Sequence, residues 1–450
     1  MSSAVTGLLA LALAALFLNA AGTVEAGFTL QVSYGLTALA AVVGAPWVVR
    51  GWLQLPLGIR VPAAVLAAIY VLSALLGQGE TLGGASRSSH RTAVYVGDLG
   101  LGLGALGLVV GLTPTRQRLE RFVAAMAAGA VVGAAIGLYQ WVALRYGWPL
   151  ADLNSAPNSD GFSTGHRFQG GGLLGWERAR GTFKEPLYFG VFLATGAPLL
   201  SVLALRFGGA RRWATVAGLA LAVTALAVTS SSLAWGVLAL CVVVAFCLTA
   251  IAAGRVVLAG MAGAAVVCAL VVGVGTFVNP GALAGLVGRS SSDLSRTTAN
   301  RTSAWTGALR SWQRRPYLGY GPGQSSVQLA YRPDGAAIAP GLIAPRVLGS
   351  AQGLWASALV DCGLLGLFGW ALLLTAIGAS VVRAAVARGE PIIVGLLTAA
   401  LVAVVAAQLA GDRLEIRVWL VLAVALAASQ LCGAEPADCS EKAEAAAEGR

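Results

Sequence analysis

Apolar runs long enough to cross a bilayer follow one another along almost the whole chain, and they restrict what it can fold into. A membrane-spanning helix needs about 20 mostly apolar residues. Within lipid a helix satisfies all of its own backbone N–H and C=O groups, so each long continuous run predicts a helix. Charged residues make up only 11% of the 450 residues, against about 25% in soluble domains. We therefore expect an all-α polytopic membrane protein.

The runs give about twelve predicted transmembrane helices. The third is short and the tenth is long, which favours tilt or an irregular end at those two. The predicted spans are Ala4–Ala21, Phe28–Val49, Val61–Leu76, Ala93–Leu112, Phe122–Leu144, Leu187–Phe207, Trp213–Val228, Leu233–Ala252, Val256–Val278, Gly353–Val382, Pro391–Ala410 and Ile416–Leu431.

Arginines in the short connections set the expected orientation, because cytoplasmic loops carry the excess of cations. The connections predicted to be cytoplasmic carry Arg50, Arg60, Arg116, Arg118, Arg121, Arg206, Arg211, Arg212, Arg255, Arg383 and Arg388. The two long loops, residues 145–186 and 279–352, then face outward. We expect residues 1–433 to form one transmembrane helical domain and residues 434–450 a disordered cytoplasmic tail.

The charge balance points to an anionic partner. The formal net charge is +11, and all the cations except Lys184 and Lys442 are arginines. Arginine has a planar fork that suits phosphate, and the chain has no soluble basic domain that would favour a nucleic acid. The cysteines show neither a disulfide framework nor metal-ligand spacing. The long loops therefore predict an anion site at the outer surface, with simple contact to solvent or lipid headgroups as the alternative.

The first outer loop ends in a charged segment just before a predicted helix. Arg178, Arg180 and Lys184 could clamp a diphosphate there, and Glu185 could accept a proton or orient an arginine. Pro186 suits the first position of a helix, whose positive end also favours anions. A loop that only lies at the membrane interface, without binding a ligand, would explain the same residues.

The second outer loop combines a helical pattern with a glycine run. Arg301, Trp305 and Trp312 are spaced to share one face of a short amphipathic helix, which could also lie flat at the interface. The glycines at Gly319–Gly323 predict a tight turn that lets the backbone approach closely. Asp361 follows within an apolar run, where a carboxylate is by default functional or paired.

A last group of charges, Asp412, Arg413, Glu415 and Arg417, lies between the two final spans. Mutual pairing within the group is an equally good explanation for it.

The order of these pieces resembles the O-antigen ligase / O-antigen polymerase superfamily of bacterial membrane glycosyltransferases, from about Ala93 to Leu431. The resemblance is carried by the pattern Arg-x-x-Gly-Thr-Phe-x-Glu-Pro at Arg178–Pro186 and by the Thr-x-Ser turn at Thr229. It continues through the loop with Arg301, Trp305, Pro316, Gly319 and Gly321, which leads into Asp-Cys-Gly-Leu-Leu-Gly from Asp361.

The resemblance implies a C-type glycosyltransferase-like fold in the bacterial inner membrane, with its active site facing the periplasm. It implies transfer of a glycan from an undecaprenyl-diphosphate-linked donor to a sugar hydroxyl on a glycan or glycolipid acceptor, without metal or other cofactor. Membrane lipids would be the surroundings. By carry-over Arg178 or Arg180 would grip the diphosphate, and Arg301 would take another such role. Together with Glu185, the possible proton acceptor, these are the candidate catalytic residues Arg178, Arg180, Glu185 and Arg301. The substrate-binding candidates are Lys184, Trp176, Trp305, Trp312, Ser232, Gln352 and Asp361.

Two departures from the family pattern matter. Ser232 stands where the family usually has Arg, and Gln352 stands where its ligases usually have His. An amide is no general base at neutral pH, so the departures favour a polymerase-like or divergent member. A transporter of a small anion and a catalytically silent glycolipid-binding member remain as alternative functions.

Overall fold

The computed structural model describes residues 2–18, 23–25, 29–77, 89–149, 151, 177–183, 185–252, 305–325, 353–410 and 414–434. Apart from one short hairpin, these residues are mainly helical, as predicted. The hairpin pairs β1 (Thr23–Glu25) with β2 (Thr29–Gln31) in antiparallel register.

The helices follow in chain order, and α1 is continued by a 3-10 turn at Ala15–Phe17. They are α1 Ser2–Ala14, α2 Val32–Val43, α3 Ala45–Gln54, α4 Leu57–Leu76, α5 Ser89–Leu112, α6 Arg116–Tyr146, α7 Pro186–Arg206, α8 Gly209–Val228, α9 Ser232–Ala252, α10 at residues 305–314, α11 Leu354–Arg388, α12 Pro391–Ala410 and α13 Ile416–Ala434.

Among the described residues, 7 helices are long and apolar enough to cross a membrane, or 8 if a bent pair counts as one span. The helices at Ser2–Phe17, Leu233–Cys247 and Ile416–Cys432 are apolar but shorter. The predicted span Val256–Val278 and the predicted tail after residue 434 lie outside the described residues.

The second predicted span is not one straight helix. It is divided into α2 and α3, which meet at an angle of 83°. Gly44 interrupts the helical dihedral angles between them, and Pro46 fits the first turn of α3. The turn brings α3 against α5 so closely that a Cβ on Gly51 would lie 1.8 Å from the carbonyl oxygen of Gly107. This contact between small residues fixes the direction of α3.

Two other predicted spans also differ from the observed helices. The third is not short, because α4 begins at Leu57 and runs for 20 residues, with Pro62 tolerated inside it. The long tenth span is α11, with 35 residues, and its irregularity is a break at Gly363, where φ is 65° and ψ is −157°.

The bundle is organised around α13, whose residues from Val418 to Ala428 are buried without exception. A helix that is apolar on every face belongs in the middle of a bundle. Trp419 of α13 lies 5.6 Å, between ring centres, from Trp370 of α11, and the Trp370 indole N–H donates to the hydroxyl of Tyr70 on α4 at 3.0 Å. This column of aromatic rings joins three helices in the core.

Polar segments separate onto the two ends of the bundle. Ion pairs join α6, α7 and the residue before α12 at one end: Arg116 to Glu390 at 2.9 Å and Arg206 to Glu120 at 2.5 Å. At the other end lie the described parts of the two predicted outer loops, residues 177–183, 185–186 and 305–325. We call this end the loop end, and the end with the ion pairs the opposite end.

The break in α11 gives a test of the fold. Gly363→Ala should lower the melting temperature of the purified protein in detergent. The φ and ψ of Gly363 lie in a region that only glycine adopts readily, so alanine there costs about 1–3 kcal/mol, and its Cβ would lie 2.3 Å from the carbonyl oxygen of Tyr317. Gly378→Ala is the matched control, because this glycine of the same helix has no atom within 4 Å of its Cβ position. Equal melting temperatures for the two variants would contradict the break.

Candidate functional site

Arg178 lies at the loop end and binds the backbone of the turn after α8. Its Nε donates to the carbonyl oxygen of Thr229 at 2.8 Å, and Nη2 donates to that of Ser230 at 3.3 Å. The N–H of Ala179 donates to Val228 at 3.1 Å. Carbonyls at a helix C-terminus carry partial negative charge, so a cation is favourable there. The guanidinium thereby stabilises a turn in which Ser230 has a left-handed φ of 50°.

The next residues of the segment are held by Gln140 of α6. Its side-chain oxygen accepts the N–H of Arg180 at 3.0 Å and that of Gly181 at 2.7 Å. Gly181 has a φ of 55°, and a Cβ there would meet the Phe189 ring at 3.1 Å. The Thr182 hydroxyl donates to the carbonyl oxygen of Phe17. Arg180 is therefore buried in a segment whose backbone is fixed on two sides.

Arg417, in the first turn of α13, completes this part of the site. Its Nη2 is 2.6 Å from a carboxylate oxygen of Glu415. The guanidinium lies 5.2 Å from the ring centre of Phe183 and 5.7 Å from that of Tyr188, which suits cation–π attraction. Its side chain is only 14% exposed, and its Nη1 has no hydrogen-bond partner among the described residues.

An apolar groove with a cavity volume of about 60 Å³, partly open to its surroundings, leads away from Arg417. Its walls are α6, α7, α12 and α13, and its charged lining residues, Glu415 and Arg417, are at the loop end. From Tyr188 to Leu199 it follows α7 for about 16 Å, at 1.5 Å per residue, which is about half the thickness of the bilayer core. The lining residues are Leu16, Met126, Ala130, Tyr188, Val191, Phe192, Thr195, Gly196, Leu199, Ala403, Ala406, Ala407, Glu415, Arg417, Val418 and Val421.

The structure thus connects the segment that carries the predicted residues Arg178 and Arg180 with a groove that the sequence did not reveal, although neither arginine is among the residues that line it. Phe183 makes the connection, because its ring lies 5.2 Å from that of Phe192 in the groove wall and also faces Arg417. Glu185 is exposed and directly precedes α7, one turn before Tyr188. Arg417 was visible in the sequence only as one of a group of charges. The usable signal was a cation at the start of an otherwise apolar helix.

The second predicted region forms the helix expected from its spacing, α10. Trp305 is 38% exposed, and its ring lies 3.4 Å from the position that a Cβ on Gly353 would take. Trp312 donates its indole N–H to the carbonyl oxygen of Pro316 at 3.0 Å. Arg310 and Arg314 are exposed on the same helix. The cations and indoles of α10 therefore lie beside the start of α11.

Tyr320 connects α10 with the core of the loop end. Its ring is packed near Ala308 and Val360, and the guanidinium of Arg315 lies 5.2 Å from its centre. Burial raises the pKa of the Tyr320 phenol, and the positive charges of Arg314 and Arg315 oppose the rise. The phenol is therefore neutral at physiological pH and serves as an aromatic surface for a cation.

Asp361 is buried in α11, at 2% exposure, and both of its carboxylate oxygens accept main-chain N–H groups. Gly323 donates to Oδ2 at 3.0 Å, and Ser325 donates to Oδ1 at 2.6 Å. The predicted contact of Asp361 with substrate stays a prediction.

Four of the predicted site residues, Trp176, Lys184, Arg301 and Gln352, lie outside the described residues, and so does the side chain of Ser232. In the described part of the chain, no group of three His, Cys, Asp or Glu side chains could hold a metal ion. Metal independence stays a prediction.

Residues 217–371 match the sequence model of the family described as O-antigen ligase. The matched segment runs from α8 to the part of α11 that contains Asp361 and Gly363, whereas Arg178 and Arg417 lie outside it. No curated protein matches the chain. The match confirms the resemblance found in the sequence and supports a glycosyltransferase-like role in polysaccharide assembly.

The two hydrogen bonds to Gln140 predict how the Arg178–Phe183 segment depends on α6. Gln140→Leu leaves two buried N–H groups without their acceptor, at a cost of about 1–3 kcal/mol each. The variant should melt at a lower temperature, and a protease should cleave the segment faster. Thr398→Val is the control, because this buried hydroxyl bonds only within its own helix. Unchanged proteolysis of Gln140→Leu would contradict the assignment.

Proposed function

Because residues 217–371 match the O-antigen ligase family, we propose that this chain acts as a member of that family and transfers a glycan from an undecaprenyl-diphosphate-linked donor. The acceptor is a sugar hydroxyl on a glycan or glycolipid, in O-antigen or exopolysaccharide assembly. The observation that carries the proposal is the apolar groove that has Arg417 at its mouth.

The shape of the groove suits a polyprenyl diphosphate. Its walls are apolar along about one leaflet of the bilayer, and its charged lining residues are at one end. Lipid tails are as apolar as the groove, so apolar contact alone would not select one lipid from the membrane. Selection must come from the headgroup, and a buried guanidinium is suited to bind a diphosphate.

The chemistry follows from the same charges. A sugar linked to diphosphate already has a good leaving group, and its departure builds up negative charge on the phosphates. Arg417 would hold the carrier, with Arg178, Arg180 and Arg301 stabilising the leaving diphosphate as fixed positive charges. The arginines would then supply the positive charge without a metal ion. Lys184 would add to this charge.

In this scheme the acceptor hydroxyl does not need a strong base to activate it. Gln352 cannot take a proton, so catalysis rests mainly on positioning and on the leaving group. Glu185 is exposed near the groove mouth and is the proposed base for the attacking hydroxyl. Trp176, Trp305 and Trp312 offer flat faces on which sugar rings can stack, and Ser232 and Gln352 offer hydrogen bonds to sugar hydroxyls.

The same proposal sets the membrane context. The described short connections that carry arginines lie at the opposite end, which supports placing the loop end at the periplasmic face of the bacterial inner membrane. The whole chain would have about twelve spans in a C-type glycosyltransferase-like arrangement.

Arg417→Gln tests the donor site directly. Loss of a charged hydrogen-bonding partner should weaken binding of undecaprenyl diphosphate by at least about tenfold, measured by native mass spectrometry of protein in nanodiscs. Cells that carry this variant should accumulate the lipid-linked glycan. Arg383→Gln is the matched control, because this exposed arginine at the opposite end bonds within its own helix.

Two results would decide against parts of the proposal. Equal affinity of the Arg417→Gln and wild-type proteins would refute the donor site. Tight binding by the wild-type protein with no glycan transfer would instead identify a silent glycolipid-binding member.

A further inference from the structure

The break in α11 leaves main-chain groups in the core without partners in their own helix. Because Gly363 departs from helical dihedral angles, the carbonyls before it and the N–H groups after it lose their bonds along the helix. Within lipid such groups must be satisfied by other parts of the protein. The segment Pro316–Ser325, which we call the inserted loop, supplies them.

The inserted loop bonds to α11 on both sides of the break. The N–H groups of Tyr320 and Gly321 donate to the carbonyl oxygens of Val360 at 3.0 Å and Asp361 at 2.8 Å. In return, the N–H groups after the break donate to the loop, Leu364 to Pro316 at 2.8 Å and Leu365 to Tyr317 at 3.3 Å. The loop thus replaces the missing helical partners.

Asp361 adds a second, charged attachment. Its carboxylate binds the N–H groups of Gly323 and Ser325, and hydrogen bonds to a charged group are stronger than neutral ones. Ser73 of α4 also donates to the carbonyl oxygens of Leu318 at 2.7 Å and Asp361 at 2.9 Å. Both oxygens of the Asp361 carboxylate are therefore engaged by the loop.

The loop approaches so closely because it has glycine where contacts are tightest. A Cβ on Gly319 would lie 2.4 Å from the carbonyl oxygen of Val360. A Cβ on Gly323 would lie 2.9 Å from the Tyr95 ring and 3.0 Å from the carbonyl oxygen of Arg91. Both glycines have positive φ, at 63° and 77°. Glycine at these two positions therefore allows the inserted loop to pack closely against α11 and α5.

The attachment sets the position of α10, because only Arg315 separates this helix from Pro316. α10 carries Trp305 and Trp312 together with exposed arginines, so an error in the loop would displace these groups from the start of α11. We propose that Asp361 is a positioning residue for glycan transfer. It acts on the reaction through the inserted loop rather than on the substrate. The inference rests on the proposed function and assigns a role within that site.

Asp361→Asn is the primary test, because it keeps the shape of the side chain and removes its charge. One of the two N–H groups would then face an amide NH₂ instead of an oxygen. We expect hydrogen exchange at residues 321–325 to become about tenfold to hundredfold faster. The kcat of glycan transfer should fall by at least about tenfold, since small displacements of positioning groups have large effects on rate. The affinity for undecaprenyl diphosphate should stay within about twofold, because Asp361 is not among the residues that line the groove.

A second variant removes the other partner of the same bond. Ser325→Pro deletes the N–H that donates to Asp361 and should reproduce both effects. In the double variant the effects should not add, because each change removes the same interaction. Ser429→Ala is the matched control, since it removes the hydroxyl pair with Ser380 at the opposite end and should change neither exchange at residues 321–325 nor transfer.

The outcomes separate this inference from the proposed function. Unchanged exchange in Asp361→Asn would overturn the attachment. Faster exchange with normal kcat would overturn the positioning role, as would a loss of lipid affinity in proportion to kcat, which would indicate general unfolding. If wild-type protein neither binds undecaprenyl diphosphate nor transfers glycan, the proposed function fails. Faster exchange in Asp361→Asn would then still support the attachment.

Discussion

The need to satisfy main-chain polar groups away from water decides the arrangement of the loop end. An unbonded N–H or C=O in the bilayer costs several kcal/mol, and the chain leaves its helical geometry here at several points. Arg178 donates hydrogen bonds to the carbonyls after α8. Gln140 accepts two N–H groups of the first loop, and Asp361 accepts two of the second. Arg178 and Asp361, which the sequence suggests as site residues, thus hold the backbone in place, and so does Gln140.

These contacts between side chains and distant parts of the backbone explain what the sequence could and could not predict. The helices α5 to α9 and α11 to α13 follow from long apolar runs, and α10 follows from the spacing of its tryptophans. The bend at Gly44 escaped prediction because it depends on contact between α3 and α5, far apart in the chain. The partners of Arg178 escaped for the same reason, since Thr229 lies 51 residues further on. Local pattern carries no information on such contacts.

The groove is the feature of the candidate site that the sequence predicts least. Its lining comes from α6, α7, α12 and α13, and most of those residues are ordinary apolar ones. Arg417 stood out only as one of several charges in a short connection. In the structure it stands out because it is nearly buried beside Phe183 and Tyr188, a placement that no spacing rule expresses.

The ion pairs at the opposite end have a mechanical consequence for the groove. Arg116, Glu120, Arg206 and Glu390 join α6, α7 and α12, which are three of its four walls. Each pair is partly exposed and contributes at most about 1 kcal/mol to stability. Together, however, the pairs join the three walls at this one end. We expect any separation of these three helices to be smallest at the opposite end and largest at the mouth of the groove. The proposed lipid donor would then enter the groove at its mouth, next to Arg417.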